Sequence, residues 1–102
     1  MIDEIELLKA ELDVICRRYG VRRLEIFGSA ALKQPLSQAG DIDLLVEFES
    51  PESAGYANRY FGLLESLETL FGMQVDLVVG SAIKNPYFRE SLERTKALLY
   101  AH

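Results

Sequence analysis

Two aspartates one residue apart, Asp41-Ile42-Asp43, a third at Asp76 and the dipeptide Gly28-Ser29 are the residues best suited to chemistry. Side chains alternate across a strand, so Asp41 and Asp43 share one face while Ile42, Leu44 and Val46 take the other. In residues 74–79, Val75, Leu77 and Val79 take one face and Asp76 the opposite one. If these two strands are neighbours, three carboxylates converge. Such groups repel one another, and an oxygen-only donor set of this kind calls for Mg²⁺ or Mn²⁺. A cation held there can also hold nucleotide phosphates. Gly28 lets the backbone approach phosphate without a side chain in the way. Ser29 opens a short helix whose unpaired N–H groups favour an anion. Asp76 is then placed to bind a second metal or to take the proton from an attacking hydroxyl. Two metals spanning the attacking and leaving oxygens give in-line phosphoryl or nucleotidyl transfer. Taken singly, each piece is ordinary: Asp-x-Asp begins many strands, an isolated aspartate is usually solvated, and Gly-Ser is often a plain turn. It is the ordered set that carries the reading.

The elements that must position these residues alternate in type. Residues 2–19 set Ile5, Leu8, Leu12, Ile15 and Tyr19 at helical spacing. Gly20 is a natural C-terminal stop. Residues 22–27 alternate Leu24 and Ile26 against Arg23, Glu25 and Phe27, the pattern of a strand. Residues 42–48 form a second strand, broken at Ser50-Pro51. Residues 55–71 form a long amphipathic helix through Tyr56, Tyr60, Leu63, Leu67 and Leu70, ended by Gly72. Residues 74–79 are a third strand, stopped by Gly80. Asn85-Pro86 opens a last helix running to about Tyr100, with Phe88, Leu92 and Leu99 inward. The order α-β-α-β-α-β-α describes an α/β (α+β) domain with a mixed sheet of three or more strands flanked by helices. The helix at 55–71 suits a parallel crossover between the second and third strands. Gly28-Ser29 at the end of the first strand meets Asp41 at the start of the second only if those strands are antiparallel, so the site lies along one rim.

Composition narrows the setting. The 102 residues are read as one domain, 1–102, with 11 basic and 16 acidic side chains and a formal charge of −5. This acidic balance argues against an extended nucleic-acid surface, which needs clustered Lys and Arg. No apolar run approaches the length of a membrane span, and no signal peptide is visible. Cys16 is the single cysteine, so internal disulfides and cysteine-based zinc sites are excluded. A reducing cytoplasm is the simplest compartment. Cys16 reads as buried packing and His102 as a loose end.

Phe27-Gly28-Ser29, the intervening residues 30–40, Asp41-Ile42-Asp43-Leu44-Leu45-Val46 and Val75-Asp76-Leu77 together resemble the minimal nucleotidyltransferases of the DNA polymerase β-like superfamily. The resemblance covers nearly the whole chain and implies that family's compact fold. It implies that Gly28, Ser29 and Lys33 contact the nucleotide, and that Asp41, Asp43 and Asp76 hold two Mg²⁺ ions. Asp76 would also help deprotonate the acceptor. The implied reaction moves AMP from ATP to a hydroxyl, with pyrophosphate leaving. Minimal members are often paired with a HEPN-type ribonuclease toxin, which they neutralise as antitoxins by adding AMP to a tyrosine. Homo- or hetero-oligomers are compatible with that pairing. The chain departs from the family's Arg-rich stretch after Gly-Ser, carrying Ala30-Ala31-Leu32-Lys33 instead, and has Gly40 where Ser or Asp is common. Lysine is a point charge and cannot reproduce a bidentate arginine clamp. The alternative is therefore a catalytically weak or inactive subunit that neutralises its partner by complex formation.

Overall fold

The computed structural model describes residues 7–27, 42–50, 54–80 and 96–102. Helix α1 spans Lys9–Arg18, strand β1 Val21–Phe27, strand β2 Ile42–Phe48, helix α2 Tyr56–Phe71, strand β3 Val75–Val79 and strand β4 Ala97–Ala101. The strands form one mixed sheet in the order β3-β2-β1-β4. As expected, β1 is antiparallel to β2, and β2 is parallel to β3.

Both helices cover one face of the sheet. Leu12 and Cys16 of α1 and Leu63, Leu67 and Phe71 of α2 pack on Leu24, Ile26, Ile42, Leu44, Val46, Val75 and Leu77. Leu63 and Leu67 are fully buried, and each such side chain contributes roughly 1.5–3 kcal/mol relative to exposure. Leu8, Ile15 and Tyr19 of the expected α1 stripe pack against this core. Ile5, which shares that stripe, lies outside the described residues. Helix α2 ends at Gly72, whose φ of 69° is left-handed, a conformation that glycine adopts without steric cost.

Gly20, also left-handed at φ 68°, joins α1 to β1 beneath a guanidinium. Its carbonyl accepts a hydrogen bond from the Glu49 amide at 2.8 Å. Arg59 of α2 donates to the carbonyls of Glu49 and Ser50 at 2.9 and 2.8 Å. The same guanidinium stacks over the rings of Phe48 and Tyr56. A Cβ at position 20 would come within 2.8 Å of Arg59 Nη1. The end of β2 is thereby fixed to both helices.

The C-terminal segment corrects one expectation. The last helix does not run to Tyr100, because Ala97–Ala101 is a strand paired antiparallel with β1. Residues 86–95 lie outside the described residues. The run Ala-Leu-Leu-Tyr-Ala suits either element by pattern. The second edge of β1 decides it, since unpaired ladder groups there need partners. Leu24 pairs with Tyr100 and Glu25 with Leu98, leaving Leu99 as the extra residue of a bulge. Consecutive Leu99 and Tyr100 are accordingly both buried. His102 is also held: its amide donates to the Arg22 carbonyl at 2.9 Å, and its Nδ1 lies 2.8 Å from Glu49 Oε1.

Candidate active site

The sheet face away from the helices carries the candidate chemistry. The register of β2 and β3 places Asp43 directly beside Asp76. Paired residues on neighbouring strands share a face, so both carboxylates project to the same side, about 4.8 Å apart at the backbone. Asp76 is exposed and Asp43 half-buried. On the other side of Asp43 stands its antiparallel partner Phe27, the last residue of β1. The rim row is thus Asp76, Asp43, Phe27. Asp41, Gly28, Ser29 and Lys33, the remaining expected site residues, lie outside the described residues. Among the described residues no group of three or more His, Cys, Asp or Glu side chains is assembled to hold a metal. The two aspartates supply hard oxygen donors on one face, the donor chemistry that Mg²⁺ takes.

Behind this row the same face is apolar and then charged. Phe27 and Leu45 are buried together, with Val78 packed against them. Next along β1, Glu25 is buried to 4% exposure. Its carboxylate lies 3.2 Å from Arg23 Nε and 3.2 Å from Lys96 Nζ. Desolvating a carboxylate is costly unless it is paired, and two cations here offset that cost.

A groove of about 400 Å³ runs beside β3, lined by Tyr56, Tyr60 and Phe61 of α2 and by Leu77 and Val79. Tyr60 donates its hydroxyl proton to the Leu77 carbonyl at 2.6 Å, one residue from Asp76. Burial pushes the Tyr60 hydroxyl pKa up, and the nearby Asp76 charge and Tyr56 add to the rise. Phe61 packs edge-on against Tyr60 and is 64% exposed. A larger groove of about 660 Å³ lies between α1 and α2, lined by Val14, Tyr19, Gly62, Ser66 and Leu70 among others. It holds no grouping suited to catalysis. Cys16 is fully buried, and burial pushes its thiol up to about 12. It is packing and not a nucleophile, as expected.

Sequence reasoning did not find Tyr60, Glu25 or Lys96. Tyr60 counted only as one residue of an apolar stripe. Glu25 sat on the alternation expected to face away from the core, and Lys96 fell inside the expected helix.

Known proteins resemble the chain along nearly all its length. The model of the nucleotidyltransferase domain family matches residues 8–99. A Methanocaldococcus jannaschii protein, provisionally named a protein adenylyltransferase, is 39% identical over 94 residues, covering 90% of this chain and 91% of its own. A solved structure of a provisionally assigned minimal nucleotidyltransferase superposes with a TM-score of 0.68 at 31% identity, covering 91% of this chain and 93% of that one. A chain from the complex of the MNT antitoxin with the tri-AMPylated HEPN toxin of Shewanella oneidensis gives a TM-score of 0.64. It is 16% identical and covers 96% of this chain and 73% of that one, a likeness of fold alone.

Proposed function

Because the chain belongs to the nucleotidyltransferase domain family, we propose that it moves AMP from ATP to a hydroxyl of a partner protein. The acceptor is a tyrosine of a HEPN-type ribonuclease toxin, and the chain is the antitoxin, working in the cytoplasm. The observation that carries this reading is the side-by-side placement of Asp43 and Asp76 on one sheet face. It is supported by relatives named as adenylyltransferases and by the fold shared with an antitoxin–toxin complex.

In this reading Asp41, Asp43 and Asp76 would hold two Mg²⁺ ions, which would supply charge stabilisation for the transferred phosphate. Gly28, Ser29 and Lys33 would receive the triphosphate. Asp76, at the solvent side of the row, accepts the proton of the attacking hydroxyl. The acceptor oxygen bonds to the α-phosphorus as the bond to the bridging oxygen breaks, and pyrophosphate carries away the electron pair. The apolar patch of Phe27, Leu45 and Val78 borders this chemistry and limits water on one side.

The test is an intact mass of the toxin after co-expression with this chain. The control is the Asp41→Asn, Asp43→Asn double variant. A gain in whole AMP units that requires the aspartates is the expected result. An unmodified toxin in a stable complex would replace this reading with neutralisation by masking.

A further inference from the structure

Helix α1 carries apolar side chains that the core does not use. Leu12 and Cys16 pack on the sheet. On the far side Val14 is 55% exposed, and Leu7, in the turn leading into the helix, is 84% exposed. Val14 stands at the wall of the groove of about 660 Å³ between α1 and α2. The floor of that groove is fixed. The Tyr19 ring lies against Gly62, where a Cβ would come within 2.5 Å of it. The Tyr19 oxygen accepts a hydrogen bond from the Ser66 hydroxyl at 3.2 Å.

The charges beside Val14 have opposite sign on its two sides. Glu11 precedes it and Arg18 follows it, and both line the groove, with Glu65 on the α2 wall. Glu11 and Arg18 are separated by about two helical turns, so they lie on one flank of α1. Arg17 lies on the other flank. Among the described residues neither Glu11 nor Arg18 is held in an ion pair. A two-fold axis beside Val14 sets α1 antiparallel to its own copy. Val14 then meets Val14, and Glu11 meets Arg18 of the second copy. An isologous contact makes every such pair twice. A parallel, in-register approach would instead oppose Glu11 to Glu11 and Arg18 to Arg18. The charge order therefore fits this helix to an inverted copy of itself.

We propose that α1 and the groove beside it form the interface of a two-fold homodimer, with α1 of a second copy as the occupant. Burying Val14 and Leu7 supplies the apolar part of the contact, and the two Glu11–Arg18 pairs set its direction. The helices cover the sheet face opposite Asp43 and Asp76. Association through them is back to back and leaves both acidic faces open to other partners.

The test is sedimentation velocity of the full chain over a concentration series, beside Glu11→Arg and the exchange variant Glu11→Arg, Arg18→Glu. The wild type is expected to dimerise. Glu11→Arg sets arginine against arginine twice and is expected to weaken the dimer by about tenfold or more. The exchange variant restores opposite charges in reversed order and is expected to regain most of the loss. Should Glu11→Arg fail to fold, Arg18→Glu opposes like charges in the same way and is read identically. A wild type that stays monomeric at about 0.1 mM would overturn the proposal. So would a dimer indifferent to Glu11→Arg, or an exchange variant no better than the single one. A monomeric wild type whose complex with the toxin is lost in Glu11→Arg would assign the groove to the toxin instead. None of these readouts uses nucleotide, so failure here leaves the adenylyl-transfer reading standing.

Discussion

Replacing Asp76 by Asn should stabilise the metal-free protein while removing its response to metal. Asp43 and Asp76 are register partners on adjacent parallel strands, so their side chains leave the backbone about 5 Å apart. Two like charges at that distance repel by about 0.8 kcal/mol at the dielectric of water and about 3 kcal/mol at an effective value of about 20. Asp76 is exposed, which places the pair near the lower figure, at about 1 kcal/mol. A domain of this size shifts its midpoint by about 4–8 °C per kcal/mol. Thermal unfolding in chelator at low salt should therefore show Asp76→Asn melting about 4 °C above the wild type. In about 1 M salt the Debye length falls to about 3 Å, and most of the gain should vanish. Adding Mg²⁺ with ATP reverses the order. A ligand at 100 times its Kd stabilises by about 2.7 kcal/mol, and under the proposed function only the chain with both carboxylates should show that gain. If Asp76→Asn melts lower in chelator, or its gain ignores salt, the two aspartates do not confront one another as described.

Tyr60→Phe removes the 2.6 Å hydrogen bond to Leu77 and should cost about 1 kcal/mol in urea unfolding, since the groove lets water reach the freed carbonyl. A loss above about 3 kcal/mol would show that this bond holds more than the edge of β3. Cys16 should resist iodoacetamide in the folded protein at pH 8, because its thiol is pushed up to about 12; rapid labelling without unfolding would refute this. The unfolded thiol ionises near its ordinary value and the folded one does not, so Cys16 favours unfolding progressively between about pH 9 and 12. Unfolding midpoints of wild type and Cys16→Ala across that range should converge as the pH rises. Gly72→Ala forces a left-handed alanine at φ 69° and should lower stability by about 1–2 kcal/mol, measured by the same urea titration.

The carboxylate pair was legible in the sequence because strand alternation is strict and both aspartates interrupt apolar strands. Val75-Asp76-Leu77 and Ile42-Asp43-Leu44 each leave one residue that cannot enter the core, and parallel pairing then aligns them. The β2–α2–β3 unit was legible for the same reason, together with its glycine stop at Gly72. Strand β4 was not. A five-residue apolar run carries no period long enough to separate strand from helix, and what decides it is a pairing partner more than 70 residues away. The bulge at Leu99 further hides the alternation. Lys96 and Glu25 were missed with it, because their meeting depends on that pairing. The Tyr60 hydroxyl was hidden by its ring, which fits an apolar stripe as well as phenylalanine would.

The strand order puts Asp43 inside the sheet and Asp76 on one of its two edges. Asp43 and Asp76 belong to one contiguous stretch, 42–79, in which strand, helix and strand close on each other over short chain distances. Lys96 adjoins the other edge strand, β4, which is held by β1 and by Lys9 of α1, whose ammonium donates to the Leu99 carbonyl at 3.0 Å. Proteins open locally in cooperative units, and edge elements open at lower free energy than central ones. When β4 peels away, Lys96 leaves with it, while β2 and β3 keep their hydrogen bonds and the aspartates keep their alignment. Amide exchange should accordingly be faster in 97–101 than in 42–46. Fraying at that margin leaves the pairing of Asp43 with Asp76 intact.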